Sequence, residues 1–213
     1  MHFLQFPYNH RMIGKDLNIG LRHRKKLALR ARLSNIALRH AIERGVSQVR
    51  VEDIAAEADV SPRTFNNYFR SKEEAIVGSA AIRADRYCEI LRARPGSESL
   101  NDALRTAAST LFEEEPDRDW IARARLIRSE PSLFAEARKS DIVIEQTIAA
   151  EIGRRSGTCP ASALGPRLAA AAVVAAIHVA VQFWLEFPAI GTLREAVDSA
   201  MSHLRFTDDG ASY

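Results

Sequence analysis

The chain has 213 residues, of which 46% are hydrophobic, and its formal net charge is +3. This composition is that of a globular protein and excludes wholesale disorder, while eight prolines and ten glycines are too few for a fibrous or low-complexity chain. The two cysteines, Cys88 and Cys159, give neither a disulfide framework nor the spacing of a metal site, so we expect a cytoplasmic protein with no cofactor and no metal.

The charge is divided unevenly along the chain. Residues 1–72 contain 14 Lys and Arg against 6 Asp and Glu, which leaves a net charge of +8. Residues 73–213 contain 16 against 21, which leaves −5. A basic first third predicts a surface for a polyanion at that end, although a solvated basic helix without a partner gives the same count.

The first 20 residues differ from the rest because they show no helical period. They also lack the apolar stretch and the cleavage site of a signal peptide, so we interpret residues 1–20 as a flexible arm. A tail that touches the minor groove of DNA is the alternative, and only Arg11 and Lys15 would support it there. The following pattern is helical, and a first helix places Leu29, Leu33 and Ile36 on one face before it ends at Gly45.

Two short helices follow with the spacing of a helix-turn-helix. The first covers residues 51–58, and the second begins at Ser61 and Pro62, where Ser is a good N-cap and Pro a good first helical residue. The helices are separated by Asp59 and Val60, a connection of the length that joins two steeply crossed helices. We expect a positive φ in this turn, which Asp tolerates.

The apolar residues of this pair predict a small core, formed by Ile54, Ala55, Val60, Phe65 and Phe69. The remaining side chains of the second helix then lie on its outer side, and their types are those that hydrogen-bond base edges and phosphates. These residues are Arg63, Thr64, Asn66, Asn67 and Tyr68.

The rest of the chain predicts further helices and no strands. A long helix is expected from Ser71 to about Leu91. The later helices are expected over residues 100–114, 118–129, 131–155, 167–187 and 193–204. Residues 168–185 approach the length of a bilayer span, but they are mostly Ala and include His178 and Gln182, which favours a helix of a protein outside the membrane.

Residues 51–74 (VEDIAAEADVSPRTFNNYFRSKEE) resemble the DNA-binding signature of TetR-family transcriptional regulators. The end of the preceding helix, AIERG at residues 41–45, also fits, and the specific similarity covers about residues 27–78. The resemblance implies an all-α fold, with an N-terminal three-helix helix-turn-helix head joined by a long helix to a C-terminal helical ligand-binding and dimerisation domain. We expect the head at residues 21–72, the second domain at 73–207 and a tail at 208–213.

The resemblance also implies the residues that contact double-stranded DNA. Arg63 and Asn66 are expected to read bases, because Arg suits guanine and Asn suits adenine, and Lys72 is expected to contact phosphate. The family usually has Thr or Ser where Arg50 stands, and Arg cannot cap a helix but can bind phosphate as a cation. The full set is Arg50, Ser61, Pro62, Arg63, Thr64, Asn66, Asn67, Tyr68 and Lys72.

A basic cluster at the start of the first helix is expected to add phosphate contacts without sequence choice. Its members are Arg22, Arg24, Lys25, Lys26, Arg30 and Arg32.

The implied second domain should bind an effector and a second copy of the chain. Candidate pocket residues, each of which fits a core position equally well, are Phe112, Trp120, Phe134, His178 and Trp184. Such a lining suits a small hydrophobic or amphipathic effector, and Arg123, Arg125 and Arg128 at its mouth would suit an acyl-CoA. A four-helix interface of the homodimer is expected from the Ala-rich helix and the last helix, through Val173, Ile177, Val181, Leu193, Val197 and Met201.

The expected function is a ligand-responsive repressor that binds a palindromic operator as a homodimer, with no membrane partner. A constitutive nucleoid-associated protein, which needs no effector, is the main alternative. A helical enzyme is a weaker one, because the sequence has no nucleophile elbow, phosphate-binding Gly loop or metal-ligand spacing.

Overall fold

The computed structural model describes residues 21–78, 80–157 and 163–206, and this part of the chain is helical without any strand. The expected all-α fold is therefore confirmed. The helices are α1 (Leu21–Arg44), α2 (Val51–Glu57), α3 (Pro62–Asn66), α4 (Lys72–Val77), α5 (Ala80–Arg92), α6 (Leu100–Leu111), α7 (Arg118–Ser129), α8 (Pro131–Ser156), α9 (Leu164–Glu186) and α10 (Leu193–Ser202). Short 3₁₀ turns lie at Val46–Gln48 and Pro188–Ile190. The predicted arm, the predicted tail and Cys159 fall outside the described residues.

The described helices form two compact units. The first contains residues 21–78 and 117–138, and the second contains residues 80–116, 139–157 and 163–206. The expected division after residue 72 therefore differs from the structural one. All of α4, all of α7 and the first turns of α8 pack with the N-terminal helices.

The predicted long helix from Ser71 to Leu91 is wrong in its length. The chain leaves the helical conformation at Gly78, with φ of +88° and ψ of 177°. This backbone conformation is open almost only to glycine, so α4 and α5 are separate helices. Apolar periodicity does not reveal the break, because a single Gly is tolerated within many helices.

The core of the first unit forms where one face of α1 meets α2, α3 and α4. Small residues on α1 let the other helices approach closely, and α8 closes the cluster with Leu133. The largest fully buried side chains here are Leu33, Leu38, Ile54, Phe65, Phe69, Ile76 and Leu133. This core fixes α2 and α3 against the longer α1.

The core of the second unit lies among α5, α6, α8, α9 and α10. Tyr87 is buried and donates its hydroxyl hydrogen to the carbonyl oxygen of Leu104 at 3.0 Å. The buried carboxylate of Glu151 on α8 accepts from Arg92 Nε at 2.7 Å and from Arg154 Nε at 2.8 Å. Each buried polar group named here therefore has a partner, as a packed interior requires.

Four of the six residues of the predicted subunit interface belong to the core of their own chain. A side chain without accessible surface has nothing left to bury against a second copy. The four residues are Val173, Leu193, Val197 and Met201, all at most 2% exposed. Ile177 and Val181 are half-buried. The apolar face of α10 instead packs on α6 and α9.

The exposed apolar residues of α9 lie on a different face of this helix from the buried Val173. Leu168, Val179 and Phe183 are 59%, 62% and 44% exposed, with Ala172 and Ala175 between them. Within the described residues α9 alone is long and apolar enough to cross a bilayer. Core and interface helices of proteins outside the membrane pass the same test.

Candidate DNA-binding surface

The turn between α2 and α3 is centred on Asp59, which has a φ of +55°. The expected positive φ in this turn is therefore confirmed. The backbone N–H of Val60 donates to the carbonyl oxygen of Ala55 at 2.9 Å, and that of Ala58 donates to Ile54 at 3.0 Å. A short acidic side chain is one of the few that adopt the left-handed conformation at low cost.

The start of α3 is held by its own sequence. Ser61 Oγ accepts from the backbone N–H of Thr64 at 3.1 Å, and the two hydroxyl oxygens are 3.0 Å apart. Pro62 occupies the first turn, where its missing N–H has no helical partner to lose. The predicted cap is confirmed, and it orients the residues that follow.

The helical path continues beyond the end of α3, because Phe69 N–H donates to the carbonyl oxygen of Phe65 at 3.0 Å. These two rings are fully buried, with centroids 5.6 Å apart, and they anchor one side of the segment. The opposite side presents the predicted contact residues. Ser61, Pro62, Arg63, Asn66 and Asn67 are exposed, while Thr64 and Tyr68 are half-buried.

Arg50 stands at the start of α2, where its backbone takes the N-cap position without a side-chain capping bond. Its side chain is exposed, and among the described residues we find no hydrogen bond or ion pair for its guanidinium group. A cation so placed remains available for phosphate.

Lys72 contacts the backbone of its own chain. Its ammonium group points at three backbone carbonyls of the segment before α2, donating to Val46 at 3.0 Å, Ser47 at 3.2 Å and Val49 at 3.0 Å. The lysine is half-buried at the first position of α4. Its contacts are internal to the first unit.

Two members of the predicted basic cluster also have internal partners. Arg30 donates to the carbonyl oxygen of Tyr68 at 2.6 Å and to Glu74 Oε1 at 3.2 Å, and its guanidinium carbon lies 4.4 Å from the centroid of the Phe69 ring. Arg32 donates to the carbonyl oxygen of Glu57 at 3.2 Å. In the same cluster Lys25 and Lys26 are exposed, and the side chains of Arg22 and Arg24 fall outside the described residues.

The sequence did not indicate how α2 is tied to α1. Glu57, the last residue of α2, accepts from Arg39 and from His40 Nε2, the latter at 2.9 Å. Burial lowers the pKa of His40, and the charges of Arg44 and Arg39 lower it further. An ionised carboxylate can only accept, so the imidazole donates to Glu57 through Nε2–H.

The predicted pocket residues are divided between the two units. Trp120 and Phe134 belong to the first, and Phe112, His178 and Trp184 belong to the second. Phe134 is 54% exposed, and Trp184 Nε1 donates to the carbonyl oxygen of Gly191 at 3.0 Å. An open cleft of about 540 Å³ in the second unit includes none of these five residues. It is lined by Ser109, Thr192, Arg194, Glu195, Asp198 and Ser199, so the effector pocket stays a prediction.

Two family models match the chain. The one described as bacterial regulatory proteins of the tetR family matches residues 35–76, which include the whole of α2, the turn and α3. The one described as the MftR C-terminal domain matches residues 96–207, more than half of the chain.

Two curated relatives and a solved structure agree with these matches. The transcriptional regulator TcmR of Streptomyces glaucescens is 28% identical over 196 residues, covering 87% of each chain. A protein of Mycobacterium tuberculosis described as the mycofactocin biosynthesis regulator MftR is 27% identical over 170 residues, covering 79% of this chain and 85% of its own. A structure described as a TetR-family regulator of Syntrophomonas wolfei has a TM-score of 0.58 at 18% identity, covering 83% of this chain and 93% of its own, and shows the shared fold.

Proposed function

Because the chain belongs to the TetR family of DNA-binding transcriptional regulators, we propose that it represses transcription as a homodimer that binds a palindromic operator in the cytoplasm and leaves it when a small apolar or amphipathic effector binds. One observation carries the DNA-reading part of this proposal. The buried pair Phe65 and Phe69 fixes the recognition segment, while Arg63 and Asn66 face outward from it. Side chains held in this way can contact base edges without the entropy cost of first ordering the helix that carries them.

The preference of the protein for particular DNA sequences is expected to depend on Arg63. The substitution Arg63→Ala should weaken binding to a preferred duplex by about 1–3 kcal/mol and relax the preference at one base position per half-site, because a bidentate contact to a single base pair is lost. The measurement is selection of duplexes from a random pool, carried out with the wild-type protein and with the variant.

Arg50→Ala is the matched control, since it removes the same side chain from an exposed position at the start of α2. It should weaken binding to all sequences alike and lower the slope of log K against log salt by roughly 0.9. Arg63 has no role in base readout if Arg63→Ala behaves in the same uniform way.

We assign the homodimer interface to the exposed face of α9. The face is apolar along several turns, and its Ala residues allow a second helix to approach closely. Val179→Lys, which places a charge at a 62% exposed position, is expected to convert the dimer to monomer in sedimentation at micromolar concentration. The control Arg194→Ala changes an exposed residue of α10 and should remain dimeric, and a dimeric Val179→Lys protein would contradict this assignment.

The effector is proposed to bind in the second unit, where acyl-CoA is one compound of the expected class. A ligand could act only by preferring one state of the dimer, since equal affinity for both states shifts nothing. Native mass spectrometry of the purified protein, followed by titration of the retained compound against the protein–DNA complex, tests this part. A retained compound that binds tightly but leaves the affinity for DNA unchanged is not the effector.

A further inference from the structure

We infer that Lys72 is a positioning residue of the helix-turn-helix, whose ammonium group ties the start of α4 to the backbone just before α2. The inference concerns DNA affinity and therefore rests on the proposed function. Its structural part, the tie itself, can be tested on the protein without DNA.

The geometry of the ammonium group carries the inference. A lysine ammonium has three N–H donors and no acceptor. Three carbonyl oxygens, of Val46, Ser47 and Val49, lie 3.0–3.2 Å from Lys72 Nζ. Donors and acceptors match in number, so a phosphate oxygen could be bound only at the cost of one of these bonds.

The start of α2 lacks the usual local support. Its N-cap residue is Arg50, whose side chain makes no capping bond, although Ser or Thr at such a position would satisfy one of the first N–H groups. The segment that leads into it is fixed on the inner side by the buried side chains of Val46 and Val49. On the outer side its carbonyls converge on Lys72, which supplies from α4 the anchoring that the N-cap does not.

The position of Lys72 in the chain determines what the contact joins. Val49 lies two residues before α2, and Lys72 is the first residue of α4, so the bond connects two points that are 23 residues apart on either side of the helix-turn-helix. Three residues after Lys72, the carbonyl oxygen of Ala75 accepts from Ser34 Oγ at 2.7 Å, and this bond fixes α4 to α1. The start of α2 is therefore held in register with α4, and α3 lies between the two fixed points.

Loss of this contact should affect the orientation of α2 and α3 more than the positive charge that the protein presents to DNA. Sequence-specific binding needs Arg50 and α3 to meet their phosphates and bases together, whereas binding to random DNA depends mainly on the number of neutralised phosphates. Lys72→Met keeps most of the aliphatic side chain and removes only the ammonium group. Arg50→Met is the matched control, because it removes one exposed positive charge next to the same backbone segment.

The DNA experiment compares two duplexes of equal length, one selected from a random pool by the wild-type protein and one of random sequence. We expect Lys72→Met to weaken binding to the selected duplex about tenfold, the value of one or two hydrogen bonds from a charged group. On the random duplex its slope of log K against log salt should fall by less than half of the roughly 0.9 lost by Arg50→Met. Equal slope losses for the two variants, or unchanged affinity of Lys72→Met for the selected duplex, would overturn the inference.

The second experiment measures amide hydrogen exchange on the free protein. The reporters are the Val49 N–H, which donates to Val46 at 3.3 Å, and the Ile54 N–H, which donates to Arg50 at 3.2 Å. Both should exchange about tenfold faster in Lys72→Met, while the buried core amides of α1 keep their rates and Arg50→Met matches the wild type. Unchanged exchange at Val49 would refute the tie even if DNA binding falls. If the wild-type protein prefers no duplex at all, the proposed function fails, and the exchange rates still decide the role of Lys72.

Discussion

Phe65→Ala is expected to lower the free energy of unfolding of the first unit by about 3–5 kcal/mol, the usual cost of removing a buried aromatic ring from a packed core. Phe65 has no exposed surface, and its ring packs against Phe69 at the base of the recognition segment. The cavity would lie directly beneath the residues that face outward. DNA affinity should therefore fall together with stability.

The two tryptophans of the chain allow this loss to be assigned to one unit. Trp120 lies in the first unit and Trp184 in the second, so Trp184→Phe leaves a fluorescence signal from the first unit alone. In that background urea unfolding with Phe65→Ala should show a clearly lower midpoint. Phe134→Ala is the matched control, because Phe134 belongs to the same unit but is 54% exposed. Equal losses from the two substitutions would mean that Phe65 is not a core residue of the head.

Asp141→Ala is expected to destabilise the second unit by about 1–3 kcal/mol, since it removes a buried carboxylate and leaves the groups that face it without their acceptor. Asp141 on α8 is only 3% exposed, and its Oδ1 lies 3.4 Å from His178 Nε2 on α9. Burial lowers the pKa of Arg83 on α5, and the Asp141 carboxylate opposes that shift. The Asp141 carboxylate therefore favours the charged form of the Arg83 guanidinium group.

The measurement is urea unfolding followed by Trp184 in a Trp120→Phe background. Asp85→Ala is the control, because it makes the same substitution at an exposed position of α5 and should change stability by at most about 0.5 kcal/mol. The double variant Arg83→Met with Asp141→Leu should recover most of the loss, because the Arg83 charge is then removed together with its counter-charge. A double variant as unstable as Asp141→Ala would show that the carboxylate acts through other contacts.

The sequence predicted those features whose causes lie within a few residues. The cap of α3 needs only Ser61, Pro62 and Thr64, and the turn needs only a residue that tolerates positive φ at Asp59. The exposed side of α3 followed from the spacing of Phe65 and Phe69. These signals are local, so they can be derived before the fold is known.

The features that the sequence missed depend on distant partners. Arg30 and Lys72 are cations in a basic region, and only the structure shows that their partners are backbone carbonyls 23 to 38 residues away. The apolar face of α10 is visible from its period, but the period does not say whether α9 and α6 or a second chain will cover it. The break at Gly78 likewise depends on a backbone conformation that Gly permits but does not require, so the sequence alone does not predict it.

The repressor account depends on sequence-specific DNA binding, and its most direct test is a comparison of two affinities at ~0.15 M salt. The first duplex is the one that the wild-type protein selects from a random pool, and the second is a random sequence of equal length. We predict a selected site with two inverted half-sites, bound at least about 10³-fold more tightly than the random duplex. Equal affinity for the two duplexes would contradict the account and would instead indicate a nucleoid-type protein that binds DNA without regard to sequence.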